Sequence, residues 1–189
     1  AWEDYQYAYQ VERTPFPIYG NRFHVRKEGN NFIPNPPVFR TGIVRAPRPQ
    51  EKHDLVRGPD SNSLRYVPGT RDSSSEWEIP FHYSDPFLTF LLGDTLKKEV
   101  TPVTIPFDHQ ASTLYSVPAD SLYKVMMQES DNFIAEQLLL LCAGVLSDTL
   151  ETDIAIREVK KRFLTDLPDT PVWVDGSGLS RMNLFTPRS

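Results

Sequence analysis

The 189-residue chain holds a single cysteine, Cys142. With no second thiol, an intrachain disulfide is excluded. Set in an apolar run, the residue reads as buried filler rather than a nucleophile, and one cysteine fits a reducing or an oxidising compartment. Basic residues are the minority, 20 Lys and Arg against 25 Asp and Glu, for a net charge of −5. With no basic excess, nucleic acid is not an expected partner. No apolar run reaches the length of a membrane span, and none is expected. His24, His53, His82 and His109 stand apart with no metal-ligand spacing, and neither His-Glu-x-x-His nor Cys-x-x-Cys occurs. No metal and no cofactor is therefore expected. There is also no internal repeat. What remains is 39% hydrophobic and 24% charged, ordinary for a globular protein and enough for one domain or two small ones.

The first part of the chain has a β texture. Tyr5, Tyr7, Tyr9 and Val11 alternate with period 2 and predict a strand. Phe23 and Val25 alternate with Arg22, His24 and Arg26, and Gly29-Asn30 predicts a hairpin turn. Phe39 and Ile43-Val44 suggest the partner strand, approached irregularly through Pro34, Pro36 and Pro37. Residues 46–76 are less regular. An exposed loop over 46–52, a strand over 64–67, a flexible connector over 71–75 and a short strand over 77–81 are expected. A helix then opens at Ser84 or Asp85 with Pro86 near its first position and a stripe of Phe87, Leu88, Leu91, Leu92 and Leu96. Lys97-Lys98 suits its C-terminal dipole. A strand over 100–106 is expected to leave it.

From about residue 112 the texture is helical. After a short extended Thr113-Leu114-Tyr115, Pro118 and Asp120 start a helix with Leu122, Val125 and Met126 inward. Ser130-Asp131-Asn132 interrupts it directly before a run in which ten of the fourteen residues 133–146 are Phe, Ile, Val, Leu or Ala. Small polar residues before such a run cap the free N–H groups of a helix start. Gly144 is placed to end this helix, and its near-continuous apolarity puts it at the centre of a core. Another helix is expected from about Asp148, with Glu151 as a capping pair. Its stripe is Ile156, Val159, Phe163 and Leu167, with Glu158 and Arg162 paired outside. Val172-Trp173-Val174 reads as a strand and Asp175-Gly176-Ser177-Gly178 as a tight turn. The fold class is α+β, with domains over 1–110 and 111–189. The abrupt start on Trp2-Glu3-Asp4-Tyr5 and the end on Thr186-Pro187-Arg188-Ser189 lead us to expect a piece of a longer protein.

Some motifs are set aside. Ser121-Leu122-Tyr123-Lys124 fits Ser-x-x-Lys, in which a lysine one helical turn on deprotonates a serine. It lies close before Ser130 in an ordinary amphipathic helix, whereas a nucleophile has to face Ser130 across a cleft from another element. Gly176-Ser177-Gly178-Leu179-Ser180-Arg181 imitates a phosphate loop without the third glycine or a following βα unit. By its residues alone, Ser130-x-Asn132 is first of all a capped helix start.

Its context says more. The run Met126-Met127-Gln128-Glu129-Ser130-Asp131-Asn132-Phe133-Ile134-Ala135-Glu136-Gln137-Leu138-Leu139 resembles the second active-site motif of the D-alanyl-D-alanine carboxypeptidase/endopeptidase family of the penicillin-binding protein 4 type. Asp175-Gly176-Ser177-Gly178-Leu179-Ser180-Arg181-x-Asn183-x-x-Thr186-Pro187 is similar to a further signature of that family, in the right order. Trp2-Glu3-Asp4-Tyr5 and Pro17-Ile18-Tyr19-Gly20-Asn21 resemble the passage into its inserted domain. The resemblance implies a β-rich inserted domain followed by the helical part of a penicillin-binding domain. It also implies serine acyl transfer: Ser130 as the proton relay toward the leaving amine, Asn132 as the residue positioning the substrate amide, Asp131 fixing the turn. Asp175, Ser177 and Arg181 would support the cleft. Peptidoglycan peptides and β-lactams are the implied partners of the full-length protein, and the bacterial periplasm its implied location.

The chain departs from the family pattern in having no Lys-Thr-Gly or Lys-Ser-Gly and no well-placed Ser-x-x-Lys. In the family the nucleophile lies upstream of the inserted domain and the Lys-Thr-Gly strand lies downstream of the Thr-Pro. The fragment alone is therefore expected to be inactive. Apolar helix surface left uncovered suggests a homodimer. One alternative is a non-catalytic peptidoglycan- or protein-binding module of the same fold. Another is a β-lactamase or esterase of the superfamily, which the long β-rich region argues against.

Overall fold

The computed structural model describes residues 5–70, 75–106 and 112–189. His109, residues 71–74 of the expected connector and Trp2-Glu3-Asp4 lie outside the described residues. The chain forms two compact units, Ala1–Phe107 and Asp108–Ser189.

In the first unit, β1 (Arg22–Glu28) pairs antiparallel with β2 (Asn31–Asn35) and with β6 (Ser75–Pro80). A second three-stranded sheet sets β5 (Leu64–Val67) between β3 (Ile43–Arg45), parallel to it, and β4 (Asp54–Arg57), antiparallel. The β1 alternation sends Phe23, Val25 and the stem of Lys27 inward. They join Leu55, Leu64, Tyr66, Ile79, Phe81 and Leu91 in one core, where the Lys27 ammonium lies 5.8 Å over the Tyr66 ring. Phe23 meets Phe39 and Phe81 edge-on at 4.6 and 5.5 Å. α1 (Asp85–Leu96) opens as the sequence predicts: Ser84 Oγ accepts the Phe87 N–H at 3.3 Å, and Leu91 is fully buried.

Several expectations are corrected here. The partner of β1 is the next segment, β2, with Glu28 opposite Asn31 across the Gly29-Asn30 turn. Pro34 is tolerated because β2 is an edge strand that needs no ladder donor on its outer side. Phe39 sits in a short 3-10 turn (Pro37–Thr41), and Ile43-Val44 belongs to the other sheet. The tyrosine alternation at 5–11 forms turns, not a strand; Tyr7 and Tyr9 stack at 5.5 Å. Residues 100–106 form no strand, and Val103 and Ile105 are exposed.

The second unit contains α2 (Ala119–Glu129), α3 (Asn132–Ser147) and α4 (Thr152–Phe163). Leu139 and Ala143 of α3 pack on Ala155 and Ile156 of α4, with Trp173 against them. α3 buries one face, including Phe133, Gln137 and Leu140, and leaves Leu141, Cys142 and Val145 exposed, Val145 to 89%. Cys142 is thus not buried filler: one step from Ala143, it is turned about 100° off the packed face. Gly144 does not end α3. The helix runs to Ser147 and caps on Asp148 at φ 55°. A Cβ at Gly144 would meet Leu150 Cδ2 at 2.9 Å, so the missing side chain admits the returning chain. α4 starts at Thr152 rather than Asp148, and Glu151 makes no side-chain cap. α2 buries none of its residues; Val125 is exposed. Phe163 is exposed, while the Glu158–Arg162 pair forms as predicted. Among the described residues no single helix is long and apolar enough to cross a membrane.

Candidate functional site

α2 and α3 meet in an elbow with almost no loop. Ser130 closes α2 in the left-handed region, at φ 54° and ψ 45°. The N–H groups of Ser130 and Asp131 both donate to the Met126 carbonyl, the latter at 3.0 Å, which ends α2. Asp131 is the N-cap of α3: its Oδ1 accepts the Ile134 N–H at 2.9 Å. Asn132 is the first residue of that helix. The triplet therefore divides its labour. Asp131 does the capping, Ser130 is exposed and Asn132 half-buried. Asp131→Ala is expected to lower stability by about 1 kcal/mol, read as a lower urea midpoint, with Asp131→Asn recovering most of it. An unchanged midpoint for Asp131→Ala would count against this cap. Ser121 and Lys124 both lie on α2 and are both exposed, which brings neither across a cleft from Ser130.

The second stretch forms a turn braced from two sides. Val172 and Leu184 exchange backbone hydrogen bonds at 2.8 Å each, an isolated bridge where a strand over 172–174 was expected. Asn183 Oδ1 accepts the Val174 N–H at 2.8 Å, and its Nδ2 donates to Asp175 Oδ1 at 2.7 Å. Trp173 Nε1 donates to the Asp175 carbonyl at 2.6 Å. On the other side, the N–H groups of Gly176 and Ser177 both donate to Glu136 Oε1 of α3, at 2.8 Å each. The approach is close: a Cβ at Gly176 would lie 3.1 Å from the Ala135 carbonyl oxygen and 3.4 Å from Leu139 Cδ2. Ser177 Oγ accepts the Leu179 N–H at 3.0 Å and so stabilises its own turn. Arg181 is exposed.

Gly176 and Ser177 are thus tied to the helix that begins at Asn132, and Glu136 makes the tie; Asp175 is held instead by Asn183 and Trp173. Glu136 went unselected in the sequence, yet it is the one charged residue in the run 133–146. An acid on a helix meant for a core needs a partner, and that is the signal to look for. Beside the turn lies an apolar cleft of about 410 Å³, lined by Leu164, Leu167, Trp173, Leu184 and Phe185 with Asp175 and Asn183. It abuts the turn rather than the Ser130 elbow. Asp169 accepts from Arg188 Nε at 2.6 Å and from Thr186 Oγ1 at 2.6 Å. The guanidinium first, and the hydroxyl second, hold its carboxyl below the usual aspartate value.

The described histidines are all in the first unit. His24 faces Glu78 at 3.3 Å, His82 faces Glu12 at 3.0 Å, and His53 bonds Ser75. Among the described residues no group of three or more His, Cys, Asp or Glu could hold a metal.

The sequence profile of the D-Ala-D-Ala carboxypeptidase 3 (S13) family matches residues 91–189, which include both stretches. Solved structures similar to the chain include two of one protein. Penicillin binding protein 4 (dacB) from Haemophilus influenzae superposes with a TM-score of 0.66 at 20% identity, covering 100% of this chain and 47% of that one. The same protein complexed with a novel β-lactam gives 0.60 at 20% identity, covering 97% and 48%. The fold is shared, and the chain spans about half the length of the structures it matches. No curated protein sequence matches it.

Proposed function

Because the chain belongs to the D-Ala-D-Ala carboxypeptidase 3 (S13) family, we propose that it is part of a serine D-Ala-D-Ala carboxypeptidase/endopeptidase that cleaves peptidoglycan stem peptides in the periplasm. In this reading a serine supplied by the rest of the protein attacks the carbonyl between the two D-alanines. The C–N bond breaks, and an acyl-enzyme ester forms as the terminal D-alanine leaves. Its amine needs a proton, and the Ser130 hydroxyl relays the one released by the nucleophile. Asn132 holds the substrate amide in the attack geometry. Water then hydrolyses the ester and regenerates the serine. A β-lactam would acylate the same serine by opening its ring, and the similar structure that holds one supports this.

The observation that carries the reading is the division of labour at the elbow. Asp131 caps α3, so the side chains of Ser130 and Asn132 are not consumed by the cap. The chain has no Lys-Thr-Gly, and its one Ser-x-x-Lys lies on α2. The 189-residue chain is therefore expected to take up no fluorescent penicillin, whereas the full-length protein takes up one equivalent. Stoichiometric labelling of the short chain would refute the division of the site between two parts of the protein. An unlabelled full-length protein would favour the non-catalytic binding module.

A further inference from the structure

Asn132, Ala135, Glu136 and Leu139 are spaced 0, 3, 4 and 7 along α3, so they share one face of the helix. That face is where the second stretch lies: Gly176 abuts Ala135 and Leu139, and Glu136 binds the two N–H groups beside it. We propose that Glu136 is a positioning residue, whose carboxylate seats the turn at 175–178 against α3 directly below Asn132 and so sets the floor on which a substrate amide is held. The inference rests on the proposed role of Ser130 and Asn132.

Three features make the seat rigid. Glu136 reaches the turn through backbone donors, so its grip depends on the turn's path and not on side chains that rotate. Charge assistance shortens and strengthens both bonds. The far side of the turn is held separately, by Asn183 on Asp175 and by Trp173 on the Asp175 carbonyl. A turn gripped from both sides moves as one body with the first turns of α3. With Glu136 removed, two backbone donors lose their acceptor and the turn shifts toward solvent. Displacements of about 1 Å near a reacting group cost about 10²-fold in rate.

The test uses the full-length protein and the rate of acylation by a fluorescent penicillin, normalised to folded protein. Glu136→Ala is expected to slow acylation about ten- to a hundredfold, mainly in the limiting rate rather than in apparent affinity. Glu136→Gln keeps an oxygen for the two N–H groups and is expected to restore most of the rate. Gly176→Ala, with Glu136 intact, sets a Cβ 3.1 Å from the Ala135 carbonyl oxygen, shifts the turn by less than the loss of Glu136 does, and is expected to slow acylation in the same direction by a smaller factor. A brace that served stability alone would lower the melting temperature of these variants and leave the normalised rate unchanged, and that result overturns the inference. If Glu136→Ala does not fold, Gly176→Ala decides: a wild-type rate there overturns it. Ser130→Ala separates the two levels. If it is slow while Glu136→Ala and Gly176→Ala are not, the positioning role alone fails; if it is as fast as wild type, the reading of the elbow fails and the positioning role with it.

Discussion

Ser130→Gly in the full-length protein is expected to raise stability slightly while slowing acylation by a fluorescent penicillin about 10²- to 10⁴-fold. The two effects share a cause in the backbone of one residue. At φ 54° and ψ 45°, Ser130 occupies the left-handed region, which costs an L-residue roughly 1–2 kcal/mol. Glycine escapes that cost but loses more freedom on folding, which leaves a net gain of about 0.5–1 kcal/mol. Ser130→Ala removes the same hydroxyl and keeps the strained backbone, so it should be equally slow with no gain in melting temperature. Lys97 and Asp148 close their helices in the same left-handed conformation, so the backbone by itself marks no site, and the pair of variants separates the hydroxyl from the strain. If Ser130 only closes α2, Ser130→Gly will be more stable and as fast as wild type, and the proton-relay role fails.

The second large effect lies in the first unit. Arg57, at the end of β4, is almost fully buried, and its guanidinium is shared among backbone carbonyls. Nε donates to Pro80 at 2.7 Å. Nη1 donates to Gly58, Pro59 and Ser61 at 2.8, 3.1 and 3.1 Å, and Nη2 to Tyr5 at 3.3 Å. The ring of Tyr5 lies 5.1 Å from the charge. Burial lowers the Arg57 pKa, and Glu12, Tyr5 and Asp60 partly offset that. One side chain thus fastens the N-terminal stretch, the β4–β5 loop and the end of β6. Arg57→Ala strands those carbonyls together, and the expected loss is about 2–4 kcal/mol. That is a large share of the 5–15 kcal/mol, roughly, that holds a domain folded. Arg57→Lys should recover under half of it, because an ammonium cannot reproduce the planar fork. Urea unfolding followed by circular dichroism measures both. A shift in Arg57→Ala worth less than about 1 kcal/mol would mean that water replaces the guanidinium at little cost.

These residues also show what was legible in the sequence. Local rules recovered what local residues decide: the alternation of β1, the Gly29-Asn30 hairpin, the Ser84 cap of α1, the start of α3 and the turn after Val174. Expectations failed where a competing contact, local or distant, decides. β4 was missed because one of its inward positions is Arg57, a cation that reaches the Tyr5 and Pro80 carbonyls as well as three in the loop beside it. The tyrosine alternation at 5–9 misled because aromatic rings two residues apart can also stack in a turn. Gly144 looked like a helix end, but it lies inside α3 with the tip of Leu150 packed over it. The polar triplet at the mouth of α3 was visible as a cap, but only the geometry shows that Asp131 is the residue that caps. Glu136 was not selected, since its partners lie forty positions away.

The elbow between α2 and α3 has one more consequence. Ser130 ends one helix, Asp131 caps the next and Asn132 begins it, so no loop residue lies between them. A residue on an open loop gives up about 1–2 kcal/mol of backbone conformational entropy when it is ordered, and a ligand that orders it loses that much in affinity. Here the ordering took place when the two helices formed. A ligand that reaches Ser130 finds a hydroxyl whose backbone has already stopped searching.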